Sequence, residues 1–430
     1  NLMDQAVEHP LMTHLYSFSL LAMLLWATVR LHEAPAGGRA VFAGLVLGVL
    51  VLVRPTNALA LLLPLLWPLG EEGFLQKCLA LVTRYRVQLV AFLVAATLPV
   101  LLLLGYWKHY GGSWLYDSYH NPGEGLDLLY PHLHHFLFSF RKGWFVYTPL
   151  VLVGLLGVAF GLRGTMRRLR APLWTFLVVF LYVVSSWTIW YYPGGFGQRA
   201  AVDVLPVVAI GLAAAIAWAW KGPLVRRWTM GVVLLFGVLL LQFQVWQQRQ
   251  HFRPPDRMTA AYYRATFLAL QPDPGLEHLL AVDRIHPGEG PLPGRYEVHA
   301  RWSFPQEEAN HVLDLEHPFT SAFERPFQVL TPSDHAWVEV RGEVWSEDPV
   351  NAQASVVVHM DHEGTYGYRS MDLEKPDTLK AATWVPFRFF YLTPEARRPW
   401  DTLRAYIWHR GGPPLRCRDL EVISHVPATR

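Results

Sequence analysis

The chain has 430 residues, of which 52% are hydrophobic and 17% charged, with a formal net charge of +3. Soluble domains run nearer a quarter charged, which excludes a wholly soluble protein, and no Lys/Arg run resembles a nucleic-acid-binding arm. Apolar residues form long blocks up to about residue 246, and the remainder reads as soluble protein. The composition therefore predicts a multi-spanning α-helical membrane domain over 1–250, a linker with an amphipathic helix over 251–279, and an all-β antiparallel sandwich over 280–430.

In chain order, an amphiphilic segment at 1–11 leads into apolar spans at about 12–29, 41–69, 88–106, 146–162, 172–190, 200–220 and 229–246. The chain starts at Asn1 without a signal peptide, so upstream helices are expected to be missing. Loops 70–87 (Lys77, Arg84, Arg86), 163–171 (Arg163, Arg167, Arg168, Arg170) and 221–228 (Lys221, Arg226, Arg227) carry the positive charge. The positive-inside rule makes these cytoplasmic and places 107–145, 191–199 and everything after 246 outside. Cys78 and Cys417 then lie on opposite sides, so no disulfide between them is expected.

The stretch 41–69 is too long for one span, and Arg54, Pro55, Thr56 and Asn57 interrupt its centre. A charge in hydrocarbon costs about 2.5–3.5 kcal/mol, and proline disfavours helix at the residue before it. Two short helices in a hairpin, 41–53 and 56–69, put Arg54 and Asn57 at the outer face and give eight passes. The other reading is one long tilted helix with Arg54 snorkelling.

The outer loop 107–145 is rich in Tyr, Trp, His and carboxylates, a composition suited to sugars. Asp117, Glu124 and Asp127 are its candidate general bases, and His120 a candidate substrate contact. His132, His134 and His135 with one of those acids could hold a divalent metal, but the spacing fits no fixed ligand pattern, so no metal site or cofactor is assigned. At the end of the loop Arg141, Lys142 and Gly143 precede an aromatic run. A second polar knot follows the fifth span: Tyr191, Tyr192, Pro193, Gly194, Gly195, Phe196, Gly197, Gln198 and Arg199, with Asp203 beyond. Arginine at helix ends beside flexible backbone suits a phosphate group, which makes Arg54, Arg141, Lys142 and Arg199 candidate phosphate ligands. Asn57, Tyr191, Tyr192 and Gln198 are candidate substrate contacts. The four-residue spacing suggests that Asp203 orients Arg199 through a helical ion pair. The rival reading is interfacial anchoring by aromatics and snorkelling arginines.

Beyond Pro254 and Pro255, an amphipathic helix is expected near 257–270. Strands are expected at 295–304, 336–345, 354–360, 384–392 and 403–408. Within the second, Trp337, Glu339, Arg341 and Glu343 share one face and Val338, Val340, Gly342 and Val344 the other, so the strand has an apolar side. Trp345, Tyr366, Tyr368 and Trp408 are candidate glycan contacts, with core packing as the simpler reading.

The runs Val53–Asn57, Phe138–Pro149 and Gly194–Arg199 together resemble bacterial multi-spanning proteins of the GT-C glycosyltransferase group, akin to the protein O-mannosyltransferase (glycosyltransferase family 39) and aminoarabinose transferase lineage. The resemblance covers about residues 10–220. It implies an inverting enzyme of the bacterial inner membrane that moves a sugar from a polyprenyl-phosphate carrier to a glycan, lipid or protein acceptor on the outer face. The family's acidic base lies in a first outer loop that has no counterpart here, so that role is carried over to no residue. Two rivals are a lipid-linked sugar transporter, which calls for internal repeats that are not evident, and a non-catalytic envelope protein whose sandwich binds glycan.

Overall fold

The computed structural model describes residues 2–116, 124–252, 254, 256–304, 310–348, 351–373 and 382–428. The chain divides into a helical unit, which ends at Ala281, and a β unit, Val282–Arg430, with which Glu124 also groups.

Among the described residues, five helices of the helical unit are long and apolar enough to cross a membrane: Thr13–Glu33, Arg86–Gly111, Gly164–Ser185, Arg199–Trp220 and Leu224–Arg249. Three shorter apolar segments, Gly37–Val53, Pro55–Gly70 and Leu150–Gly161, complete the set. The chain breaks at Arg54, which is extended (φ −157°, ψ 116°) between the helix ending at Val53 and a 3-10 turn starting at Pro55. It then reverses. The His32 Nε2 atom lies 2.9 Å from the Pro64 carbonyl and its ring stacks on Trp67, so 55–70 returns beside the end of Thr13–Glu33. Proline supplies the reason, since it disfavours helix before itself and donates no backbone hydrogen bond.

Close helix packing depends on small residues. A Cβ on Gly44 or Gly48 would fall 2.2 Å from the Phe92 carbonyl oxygen or 2.3 Å from that of Ala96, so Gly37–Val53 lies directly on Arg86–Gly111. Gly157 and Gly211 bring Leu150–Gly161 and Leu205–Trp220 together in the same way, with 1.8 Å left for a Cβ at Gly157. This small-residue spacing is how apolar helices approach where burial from water does not drive them together. At one end of the unit Glu71 pairs with Lys77 and, at 2.9 Å, with Arg168, joining two of the arginine-rich loops.

The β unit holds nine strands among the described residues: β1 (Tyr296–Ser303), β2 (Asn310–Leu313), β3 (Phe323–Pro326), β4 (Trp337–Ser346), β5 (Gln353–Asp361), β6 (Thr365–Asp372), β7 (Val385–Leu392), β8 (Thr402–Gly411) and β9 (Leu415–Pro427). They form two antiparallel sheets, β1-β9-β4-β7 with β2 also on β9, and β3-β8-β5-β6. Val338, Val340 and Val344 of one sheet and Val356, Val358, Leu403 and Ile407 of the other share one core, the arrangement of a sandwich. Tyr366 joins that core, so it is a packing residue rather than a glycan contact.

The linker differs from expectation. The helix there is only Ala260–Ala265, capped by the Thr259 hydroxyl, and it belongs to the helical unit. Met258, Tyr262 and Tyr263 pack with Tyr147 and Phe196. Its apolar residues are buried against the Gly-rich knot, which explains the amphipathic pattern without an independent helix.

Candidate functional site

Arg54, Asp203 and the knot at 191–199 come together at the end of the helical unit opposite Glu71. Four residues of the knot have left-handed backbone: Tyr192 (φ 44°), Gly194 (77°), Gly195 (65°) and Gly197 (54°). Glycine enters that region without steric cost, so the tight course of the knot requires it. Tyr192 is the exception, held by a 2.9 Å hydrogen bond from its hydroxyl to the Val184 carbonyl.

Three segments fix the knot. Lys142 is 1% exposed, and its Nζ donates to the carbonyls of Gly194 (2.8 Å) and Gly195 (2.6 Å). Burial drives the Lys142 amine down to about 7, with the Asp256 carboxylate opposing that shift. The Phe196 amide donates to Asp4 Oδ2 at 3.2 Å and the Gly194 amide to Asp256 Oδ1 at 3.4 Å. Arg141 stacks on the Tyr191 ring, its guanidinium carbon 3.4 Å from the centroid, while its Nε donates to the Asp256 carbonyl at 2.7 Å. Gln198 is fully buried and its amide donates to the Trp190 carbonyl.

Asp203 sits beneath, 2% exposed. Its Oδ1 lies 2.8 Å from His14 Nδ1 and its Oδ2 accepts from Arg54 at 3.1 Å. Arg54 also approaches His14 Nδ1 at 3.1 Å and lies 5.9 Å from the Tyr192 ring centroid. Asn57 donates to the Ser17 hydroxyl and the Leu50 carbonyl, closing the broken helix against Thr13–Glu33. The expected pairing of Asp203 with Arg199 is not formed. Residues Arg199–Val204 are a 3-10 helix, in which positions three apart align and the fourth is rotated about 120° away. Arg199 instead reaches toward the Met12 sulfur at 3.6 Å.

Of the outer-loop candidates, Asp117 and His120 lie outside the described residues. Gly125–Asp127 runs against the end of the Arg170–Ser185 helix: the Thr188 amide donates to Gly125, the Asp127 amide to Ser186 and the His132 amide to Ser185. This carries Asp127 to the same end as the knot. The His135 ring lies near those of His132 and His134 and against Trp190. Among the described residues no group of three His, Cys, Asp or Glu side chains is placed to hold a metal ion.

Asp4, His14 and Asp256 escaped the sequence reading. Each touches the knot or Asp203 across a long sequence gap, and no local pattern marks them.

No family model matches the chain, and no curated protein does. Among solved structures, a family GH115 4-O-methyl-alpha-glucuronidase with specificity for decorated arabinogalactans is 10% identical over 68% of this chain, with a TM-score of 0.19. The chain spans about a third of that structure's length, 34%.

Proposed function

We propose that this is a membrane glycosyltransferase of the GT-C type. It moves a sugar from a polyprenyl-phosphate carrier to an acceptor at the outer face of the bacterial inner membrane. The observation that carries the reading is Arg54, at the break of a helix, held by the buried Asp203 beside the Tyr192 ring of the glycine-rich knot that leads into Arg199, at one end of the apolar bundle.

Departure of a lipid phosphate needs positive charge where the negative charge develops, fixed before the bond breaks. Arg54 and Arg199 are assigned that role. Asp203 and His14 hold Arg54 in place, and Arg141 and Lys142 shape the knot rather than grip the donor. Asp127, Glu124 and Asp117 remain the candidate bases for the acceptor hydroxyl. The orientation follows the arginine-rich loops, two of which meet at the opposite end.

Removing a preorganised donor to developing negative charge lowers turnover by roughly 10²–10³-fold. Arg199→Ala is expected to show that loss in release of labelled sugar from a polyprenyl-phosphate-linked hexose by the full chain in proteoliposomes, with an unchanged melting temperature. Wild-type release by the variant would refute the assignment.

A further inference from the structure

The two outer faces of the β unit differ in chemistry. On the β1-β9-β4-β7 sheet the outward side chains pair with one another: Arg388 with Glu339, His425 with Glu339, Arg341 with Glu421, and Arg418 with Glu343. That face is complete by itself.

The outer face of β3-β8-β5-β6 is a band of rings. Val356, Val358, Leu403, Ala405 and Ile407 point into the core, so the alternate residues of β5 and β8 point out. Ser355 lies opposite Trp408, Val357 opposite Tyr406 and His359 opposite Arg404. Phe319 bridges to Trp408 and stacks on it at 6.0 Å and 20°. Phe319 meets Tyr406 edge-on at 5.8 Å, Tyr406 meets His359 edge-on at 5.8 Å, and His359 stacks on Tyr368 at 6.5 Å. Five rings thus run continuously from the β3 side to β6, about 14 Å across at the usual strand spacing. Phe319 and Tyr368, at the two ends, are 52% and 49% exposed, Trp408 and Tyr406 are half-buried, and His359, which joins Tyr406 to Tyr368, is buried.

Fixed polar groups border the band at both ends. At one, Asp372 accepts from Ser355 at 2.8 Å and pairs with Arg410 at 3.0 Å. At the other, Arg404 lies between Asp361 (3.1 Å) and Glu324 (3.0 Å).

We infer that this face binds an unbranched chain of pyranose sugars. A pyranose offers a C–H face of partial positive charge to the negative face of an aromatic ring, and a rim of hydroxyls that donate and accept. The band supplies rings in a row, with Arg404 and Arg410 as donors and Asp361 and Asp372 as acceptors. The inference stands independently of the transferase reading, because it needs none of the residues around Asp203.

The test uses the full chain in nanodiscs with cellohexaose, maltohexaose and chitohexaose as probes, titrated by thermophoresis. At least one probe is expected to bind, and Phe319→Ala and Tyr368→Ala, both at exposed rings, to weaken it at least tenfold. Arg388→Ala, on the opposite face, and Arg199→Ala should leave binding unchanged. Melting curves identify any variant that fails to fold, and Phe319→Tyr should restore binding. Failure of all three probes, binding that survives loss of the rings, or capture of a protein by this face without sugar would overturn the inference.

Discussion

Asp203→Ala is expected to destabilise the helical unit by about 3–5 kcal/mol, the cost of removing one partner from a buried ion pair. The carboxylate is 2% exposed and is the shared partner of Arg54 and His14, which come from segments 40 residues apart. Without it a guanidinium whose side chain is only 14% exposed loses its countercharge where hydration cannot replace it. Asp203→Asn, which keeps the shape and loses the charge, should cost less. Replacing both partners, as in Arg54→Met with Asp203→Leu, should recover much of the loss, because two apolar groups leave no charge unpaired. The melting temperature of the purified chain measures all three. A wild-type value for Asp203→Ala would show that the three side chains do not depend on one another.

The second large effect concerns Lys142. Its amine titrates near 7 in the folded chain because burial penalises the charged form, against an ordinary value of 10.5. Between those values the unfolded chain holds a proton that the folded chain has released. Stability should therefore rise with pH from about 7 to 10.5, by about 1.4 kcal/mol per pH unit, and be lowest below 7, where both states are protonated. The neutral amine has two N–H groups, one for each of the Gly194 and Gly195 carbonyls. Lys142→Met should remove the slope and strand both carbonyls, at about 1–3 kcal/mol each. Denaturation of the two chains at several pH values isolates this contribution as a difference; parallel curves would contradict it.

The elements legible in the sequence were those with a local cause. Pro55 after Arg54 announced the broken helix, the glycines at 194, 195 and 197 announced flexible backbone, and alternation from Trp337 to Trp345 identified the inward face of β4. The bonding partners were not legible, because they depend on contacts between distant segments. Asp203 read as a helical partner of Arg199 until the 3-10 geometry turned it toward Arg54 and His14. Lys142 read as a phosphate ligand, yet the fold buries it among carbonyls. Asp4 and Asp256 became visible only when the leading segment and the linker closed on the knot.

Donor recognition is the step on which the account rests, and it requires no catalytic base. Binding of a polyprenyl phosphate to the full chain in nanodiscs, measured for wild type and Arg199→Ala at the same ionic strength, tests it most directly. Saturable binding that weakens at least tenfold in the variant is the predicted result. Equal binding by both chains, or none by either, would contradict it.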